Sequence, residues 1–203
     1  MINCNGFILK IIAKVKGMRI VNVVACLLLT FFLTGCASVP PLNFSVPNVG
    51  VSNQKIDAEM KSITVSLARP DEQKGDIQAG MEGVPPLWKS SLEESLNRMA
   101  IFKDNSENKV SLSVKVLALD IPSFGVTFTT KTIARYELIN RADGSIIYTQ
   151  DISSVGTVSP GYAFAGIVRA RESINRAVQN NITQFLQALE TVDMTKPMFP
   201  TKK

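Results

Sequence analysis

The chain has no histidine, only three cysteines and one tryptophan among its 203 residues. Histidine is the commonest general base and a frequent metal ligand, so its absence excludes Ser-His-Asp catalysis and most zinc sites. No cysteine follows Cys36, and the chain beyond it has no thiol for a disulfide or a metal. The sequence also shows no pair of carboxylates at a recognisable catalytic spacing. We therefore expect a protein that is not an enzyme and that needs no cofactor.

The first 35 residues have the pattern of an export signal. A basic segment up to Arg19 precedes the apolar run from Val21 to Phe32. The apolar stretch is shorter than the ~20 residues that a membrane-spanning helix needs. A basic start, a short apolar core and small residues at its end are typical of a secretory signal peptide. We predict that residues 1–35 are removed on maturation, and translation starts at Met1 or Met18.

The apolar run ends in the tetrapeptide Leu33-Thr34-Gly35-Cys36. This motif, at the end of the apolar core, resembles the lipobox of bacterial lipoproteins. The resemblance implies cleavage between Gly35 and Cys36, a diacylglycerol group on the Cys36 thiol and an acyl chain such as palmitate on the new amine. Two or more acyl chains hold a protein stably on a membrane. Ala37 replaces the aspartate that retains lipoproteins in the inner membrane in enteric-type sorting. The resemblance thus implies a periplasm-facing place on the outer membrane.

The excess of positive charge belongs to the export signal. The chain has 22 Lys and Arg residues against 17 Asp and Glu. Four of the basic residues and none of the acidic ones precede Cys36, so the rest of the chain is nearly neutral. A nucleic-acid partner is therefore not expected.

Proline without periodicity follows the cysteine, at positions 40, 41 and 47. We predict that residues 36–57 comprise the lipidated cysteine and a flexible tether. An arm packed on the domain is the alternative, because Leu42, Phe44 and Val46 are apolar. Residues 58–193 suffice for a single domain with a core of ordinary size. The tail, residues 194–203, is expected to be disordered.

Hydrophobic periodicity predicts four strands and two helices beyond residue 57. Alternation marks the strands, and apolar residues at three-four spacing mark the helices. Asp143-Gly144 favours a hairpin, so the last three strands should form an antiparallel meander. We expect an α+β domain of order β-α-β-β-β-α, with a mainly antiparallel four-stranded sheet and both amphipathic helices packed on one face. The predicted elements are strand 60–68, helix 85–100, strands 110–118, 126–140 and 145–155, and helix 163–191.

The segment that leads into the last helix holds the candidate binding residues. Tyr162 and Phe164 are large apolar side chains in a Gly/Pro loop, and they either plug the end of the core or form an exposed contact patch. Arg169 and Arg171 fall in the first turns of the helix, where positive charge opposes the macrodipole. They either contact an anionic partner, such as a lipid headgroup, or belong to a solvated face.

Some conspicuous residues have simpler interpretations. Gly156, Gly161 and Gly166 lack the pattern of a phosphate loop and are interpreted as turn and cap glycines. Trp88 begins an amphipathic helix, where a core position is more frequent than a sugar-stacking one.

The domain has traits of a known group of envelope proteins. A strand with Tyr136 runs into the Asp143-Gly144 hairpin, and the last helix contains Arg-x-x-Ile-Asn-x-Ala-Val from Arg171 to Val178. With the lipobox, these features resemble small periplasm-facing lipoproteins of diderm bacteria, of the YajG type, and the auxiliary lipoproteins of lipid-transporting ABC systems. The resemblance carries over no catalytic residue.

Three functional hypotheses follow. The first is a non-enzymatic, lipid-anchored envelope protein that binds a protein or lipid partner through the uncovered sheet face or the loop with Tyr162 and Phe164. The second is an accessory lipoprotein of an ABC-type lipid-transport system. The third, and least favoured, is an enzyme acting on envelope glycans or acyl groups. An apolar cavity between sheet and helices would favour the second, and an exposed apolar patch the first. The partner and the oligomeric state stay open.

Overall fold

The computed structural model describes residues 39–192, so the predicted signal peptide 1–35, its cleavage site at Gly35 and Cys36, and the tail 194–203 lie outside the described residues. The elements follow the order β-α-β-β-β-α in an α+β domain, which confirms the predicted fold class. They are β1 (Glu59–Leu67), α1 (Val84–Met99), β2 (Lys109–Asp120), β3 (Phe128–Asn140), β4 (Ile146–Val158) and α2 (Gly166–Glu190).

The four strands form one sheet in the order β1-β2-β3-β4. β2, β3 and β4 make the predicted antiparallel meander, and β1 pairs in parallel with β2. A parallel neighbour requires a crossover, which α1 and its flanking loops supply. The loop before α1 also runs along the far end of β2, where the Lys74 N–H donates to the Leu117 carbonyl at 2.8 Å.

Alternation along the strands decides which face of the sheet is buried. In β2, Val110, Leu112 and Val114 are buried, whereas Ser111 and Ser113 between them are partly exposed. Side chains of a strand point to opposite faces in turn, so the apolar set lies on one face. That face packs against the helices, and the hydroxyl-bearing face carries no helix of the described chain.

Tyr136 of β3 connects both helices to the same face of the sheet. Its hydroxyl accepts a hydrogen bond from Trp88 Nε1 of α1 at 3.3 Å and donates one to Asn181 Oδ1 of α2 at 2.8 Å. The Tyr136 ring stacks on Phe185, with ring centroids 4.1 Å apart. Burial raises the pKa of the Tyr136 hydroxyl, because its ionised form would lose hydration. The helices therefore share one face, as predicted, and Trp88 is a core residue.

The segment predicted as a flexible tether is instead packed on the domain from Pro40 onward. Phe44, Val46 and Ile56 are 1%, 5% and 1% exposed. Phe44 meets Trp88 edge to face, with centroids 6.4 Å apart. Burying such side chains offsets the entropy lost on ordering the segment. The described residues thus favour the alternative, an arm that belongs to the domain.

Polar groups of both helices hold this arm in the groove between them. Gln179 of α2 donates to the carbonyl oxygens of Asn43 and Ser45, at 3.1 Å each. The Ser45 hydroxyl donates to the Glu94 carboxylate of α1 at 2.9 Å. α2 therefore pairs backbone carbonyl groups of the arm, and α1 holds the arm through the Ser45 side chain.

β4 runs to Val158, three residues beyond the predicted end of the last strand. Gly156 is consequently a strand residue and not a turn glycine. A Cβ atom on Gly156 would come within 2.3 Å of the Ser173 carbonyl oxygen, so the absence of a side chain lets α2 lie directly on β4. Side chains of α2 then pair with this strand: Arg176 Nη1 donates to the Thr157 carbonyl at 3.0 Å and Asn180 Nδ2 to the Val155 carbonyl at 2.8 Å.

Candidate interaction surfaces

Two loops leave the sheet at the same end. Residues 121–127 join β2 to β3, and residues 159–165 join β4 to α2. Phe128, where β3 begins, is the register partner of Val158, where β4 ends. The end of the first loop therefore lies beside the start of the second.

These loops and the first turn of α2 present large apolar side chains to solvent. Phe164 is fully exposed, and Phe124, Val126 and Ile167 are 88%, 70% and 54% exposed. We call these four side chains the apolar tip. Segments 121–127 and 159–168 contain no charged residue. Of the two alternatives for Phe164, the structure thus shows the exposed patch and not the plug.

Tyr162 lies at the side of the apolar tip. Its ring is 51% exposed and lies against Arg176 of α2, with the guanidinium carbon 5.3 Å from the ring centroid. A guanidinium at this distance attracts the electron-rich face of the ring. Tyr162 is therefore held against the helix and only half available to a partner.

Arg169 is not a surface cation. It is 9% exposed, and its Nη1 donates to the carbonyl oxygens of Ala163 and Phe164 at 2.6 and 2.7 Å. Its guanidinium carbon also lies 5.5 Å from the centroid of the Phe128 ring. Arg169 is one turn before Ser173 on the face of α2 that packs against the sheet. The two predicted alternatives for Arg169, an anion contact or a solvated face, are therefore wrong: it fixes the backbone of the loop.

Arg171 contacts the arm. Its Nη1 donates to the Pro40 carbonyl at 3.2 Å, and its side chain stays partly exposed. Arg171, in the second turn of α2, thus lies beside Pro40, near the beginning of the described chain. The structure brings Tyr162, Phe164 and Arg169 together at one end, with Arg171 on the arm side of the helix.

The uncovered face of the sheet carries a group of ion pairs. The Arg135 guanidinium donates to both oxygens of the Asp151 carboxylate, at 2.6 and 3.0 Å, and Lys74 Nζ lies 2.5 Å from it. Arg135 first and Lys74 second lower the pKa of Asp151 to about 2. Lys115 donates to Glu72 at 2.6 Å and, with the Arg69 backbone N–H, lowers the pKa of Glu72 to about 2. Both carboxylates therefore remain charged and paired across the physiological range.

A groove of about 500 Å³ lies between β1 and α1. Met60, Leu96 and Phe102 contribute apolar surface to it, and charged residues of both signs, among them Lys61 and Glu93, line it as well. Lys61 and Lys109 form ion pairs with Glu59, which lower the pKa of that carboxyl, Lys109 having the larger effect. The mixture of signs gives this groove no preference for one charge.

Within residues 39–192, no group of three or more Cys, Asp or Glu side chains is arranged to hold a metal ion. In the same range, no helix has the length and apolar character needed to cross a bilayer.

Comparisons with known proteins identify similar folds only. No family model matches the chain, and no curated protein does. A DUF330 protein from Xanthomonas campestris shares 10% identity at a TM-score of 0.44, covering 73% of this chain and 93% of that one. The minor lipoprotein of Acinetobacter baumannii shares 8% at 0.39, covering 64% and 92%. PelC from Paraburkholderia phytofirmans, solved as a dodecamer, shares 15% at 0.39, covering 76% and 95%. At such values the likeness concerns the arrangement of elements.

Two residues of the apolar tip differ from the sequence-based expectation: Phe124 was not among the predicted binding residues, and Val126 was predicted in a strand. Val126 was expected at the start of the third strand, but β3 begins at Phe128 and Val126 lies in the loop. The available signal was Ser123-Phe124-Gly125 after Ile121-Pro122, a large apolar residue between turn formers. Ile121 in the same loop is 7% exposed, however, so composition alone did not tell which apolar residue points outward.

Proposed function

We propose that the chain is a lipid-anchored, non-enzymatic envelope protein that binds a protein or lipid partner at the inner face of the outer membrane. The anchor is the acylated Cys36 that the lipobox implies. The observation that carries the binding role is the apolar tip, in which Phe124 and Phe164 are almost wholly exposed. Large apolar side chains exposed at one end of a domain are typical of interaction sites, because their contact with water is unfavourable until a partner covers them.

The packing of the core supports surface binding over lipid carriage. Over the middle of the sheet, Trp88, Tyr136 and Phe185, each 0% exposed, fill the space beneath the helices, and the groove between β1 and α1 is lined by charged residues of both signs. A protein that ferries lipid within its fold would need an apolar cavity there. The accessory role in an ABC-type lipid-transport system therefore remains the second candidate, favoured only by Arg171, a partly exposed cation near the apolar tip.

The state of the carboxylates supports a non-catalytic role. Glu72 and Asp151, whose pKa values are lowered to about 2, are each paired with lysine or arginine on the uncovered face of the sheet. A general acid or base at neutral pH needs a pKa close to 7 instead. These groups therefore fit electrostatic pairing better than proton transfer.

The test is the fate of the full chain with Cys36→Ser in a diderm bacterium. We expect the variant to lack acyl groups by mass spectrometry and to leave the membrane fraction, because the folded domain does not supply the anchor. Cys26→Ala, in the predicted signal peptide, is the matched control and should be acylated normally. Undiminished membrane association of the Cys36→Ser protein would contradict the proposal. So would an unaltered chain that keeps residues 1–35 after export.

A further inference from the structure

We infer that the apolar tip enters the lipid headgroup region of the bilayer that carries the anchor, and so fixes the orientation of the domain on the membrane. This inference rests on the proposed function, because it assumes the anchor at Cys36. It goes further by assigning the partner of the tip: a phospholipid surface, and not a protein.

The path of the arm brings Pro40 to the side of the domain that carries the tip. The Pro40 carbonyl is bonded to Arg171, and the Asn43 N–H donates to Asn175 Oδ1 at 2.9 Å. The Asn43 carbonyl then accepts from Gln179. The arm therefore runs in the same direction as α2, and followed backward it leads towards the start of that helix. The apolar tip lies at that start.

The number of residues between Cys36 and Pro40 limits the distance between the folded domain and the bilayer. Three residues lie between Cys36 and Pro40, so the two are four Cα-to-Cα steps apart. An extended chain covers at most about 3.6 Å per residue, so acyl chains on Cys36 keep Pro40 within about 14 Å of the anchored atom. An interfacial side chain penetrates about 5–10 Å into the headgroup and acyl boundary. The tip and the anchor can therefore reach the same bilayer.

The chemistry of the two loops suits a lipid interface. Segments 121–127 and 159–168 have no charge to desolvate, and their exposed residues include two phenylalanines. The opposite end of the sheet differs: its turns, 103–108 and 141–145, contain five charged residues. The third connection at the tip end, residues 68–83, is charged as well, which confines the lipid contact to the side of β3, β4 and α2.

Two backbone carbonyl groups of the loop 159–165 are hydrogen-bonded within the domain and do not depend on water. A carbonyl group that enters an apolar environment without a partner is costly. Arg169 already satisfies the carbonyl oxygens of Ala163 and Phe164 from within the domain. The Phe164 ring can therefore lose its hydration without leaving its own carbonyl unpaired. The buried Arg169 guanidinium would then serve to keep these carbonyl groups paired at the lipid surface, a role that differs from both an anion contact and a solvated face.

The experiment is depth-dependent quenching on the purified, acylated full-length protein in vesicles of phosphatidylethanolamine and phosphatidylglycerol. Maturation removes Cys4 and Cys26, and acylation blocks Cys36, so a new cysteine is the single reactive thiol. Phe164→Cys and Phe124→Cys each receive an environment-sensitive fluorophore. Ile146→Cys is the matched control, because Ile146 is 55% exposed at the opposite end of the sheet. Bromine on the acyl chains serves as quencher.

We expect a blue-shifted emission and quenching by brominated lipid at positions 124 and 164, and water-like emission without quenching at 146. Equal, water-like emission at all three positions would overturn the inference. Shielding of 164 in native envelopes but not in vesicles would overturn it too, and would assign the tip to a protein. If the mature protein proves unacylated, the proposed function fails, and the same positions labelled in a chain whose native cysteines are replaced by serine, with excess vesicles, still decide whether the tip binds lipid.

Discussion

Gly156 of β4 and Ala177 of α2 are in backbone contact: a Cβ atom on Gly156 would lie 2.3 Å from the Ala177 nitrogen. No side chain fits between the strand and the helix at this point. The contact also brings the Ser154 hydroxyl to the Ala177 carbonyl, to which it donates at 2.8 Å. The docking of the last helix thus depends on one position without a side chain.

We therefore expect Gly156→Ala to lower the free energy of unfolding by about 1–3 kcal/mol, the usual cost of overpacking. Chemical denaturation monitored by circular dichroism measures it. Gly161→Ala is the control, since its added Cβ would meet no atom within 4 Å. A Gly156→Ala protein as stable as the control would show that α2 does not approach β4 this closely.

Arg169→Met should loosen the loop of the apolar tip. The substitution removes two hydrogen bonds from a charged donor to the Ala163 and Phe164 carbonyls, and such bonds contribute about 1.5–3 kcal/mol each. We expect lower stability and faster amide hydrogen exchange in residues 159–165. Arg171→Met, on the same helix with one bond to an exposed carbonyl, should leave exchange in that loop unchanged. Equal exchange in both variants would argue against the role of Arg169.

The arm should contribute to the stability of the whole domain. Phe44→Ala removes a ring that is 1% exposed against Trp88 and should cost about 3–5 kcal/mol, as phenylalanine truncations in cores do. Val51→Ala, at a side chain that is 73% exposed in the same segment, should change little. Urea denaturation of the two variants compares them. A Phe44→Ala protein with the midpoint of the control would restore the tether interpretation.

Acid should weaken the fold through Asp151 and Glu72. Their pKa values are about 2 in the folded protein, against about 4 in an unfolded chain, so the unfolded state binds protons first as the pH falls. Their contribution is present above pH 4 and is lost between pH 4 and 2. Asp151→Asn should make the free energy of unfolding depend less on pH in this range. The lost contribution of the ion pair should be about 0.2–1 kcal/mol, because the pair is partly exposed to solvent. Denaturation curves from pH 6 to 2 measure it.

Gln150→Asn is the control for the acid prediction, because it changes a neighbouring residue of β4 that cannot titrate. It should show the pH dependence of the unaltered protein. If the Asp151→Asn protein shows that pH dependence as well, the ion pair with Arg135 does not couple folding to protonation.

Local pattern was enough to predict most of the fold, but not its long-range contacts. The alternation of Val110, Leu112 and Val114 predicted which face of the strand is buried, and three-four spacing predicted both helices. The parallel pairing of β1 and the position of Gly156 inside β4 depend on which segments meet in space. The hydrophobic periodicity of a segment does not predict which other segment it will contact. The arm was misjudged for the same reason: prolines favoured an extended chain, and only the groove between the helices made that extended chain part of the core.

The candidate site was predictable in its location more than in its chemistry. The Gly/Pro composition around Tyr162 and Phe164 marked a loop with unusual apolar side chains. The sequence did not reveal that Phe124 joins them, because that requires the pairing of Phe128 with Val158. Arg169 was misjudged because helix position alone gives a charge in the field of the dipole, whereas its guanidinium turns back to carbonyl groups that precede the helix.

The burial of Phe44 and Val46 has a mechanical consequence for a chain tethered at Cys36. A slack linker would let the domain drift away from the lipid surface and would absorb tension on its own. If the proposed acyl group is present, any pull on it would pass through the few residues before Pro40 into the interior of the fold, so the domain could move outward beyond the reach of those residues only by partly unfolding.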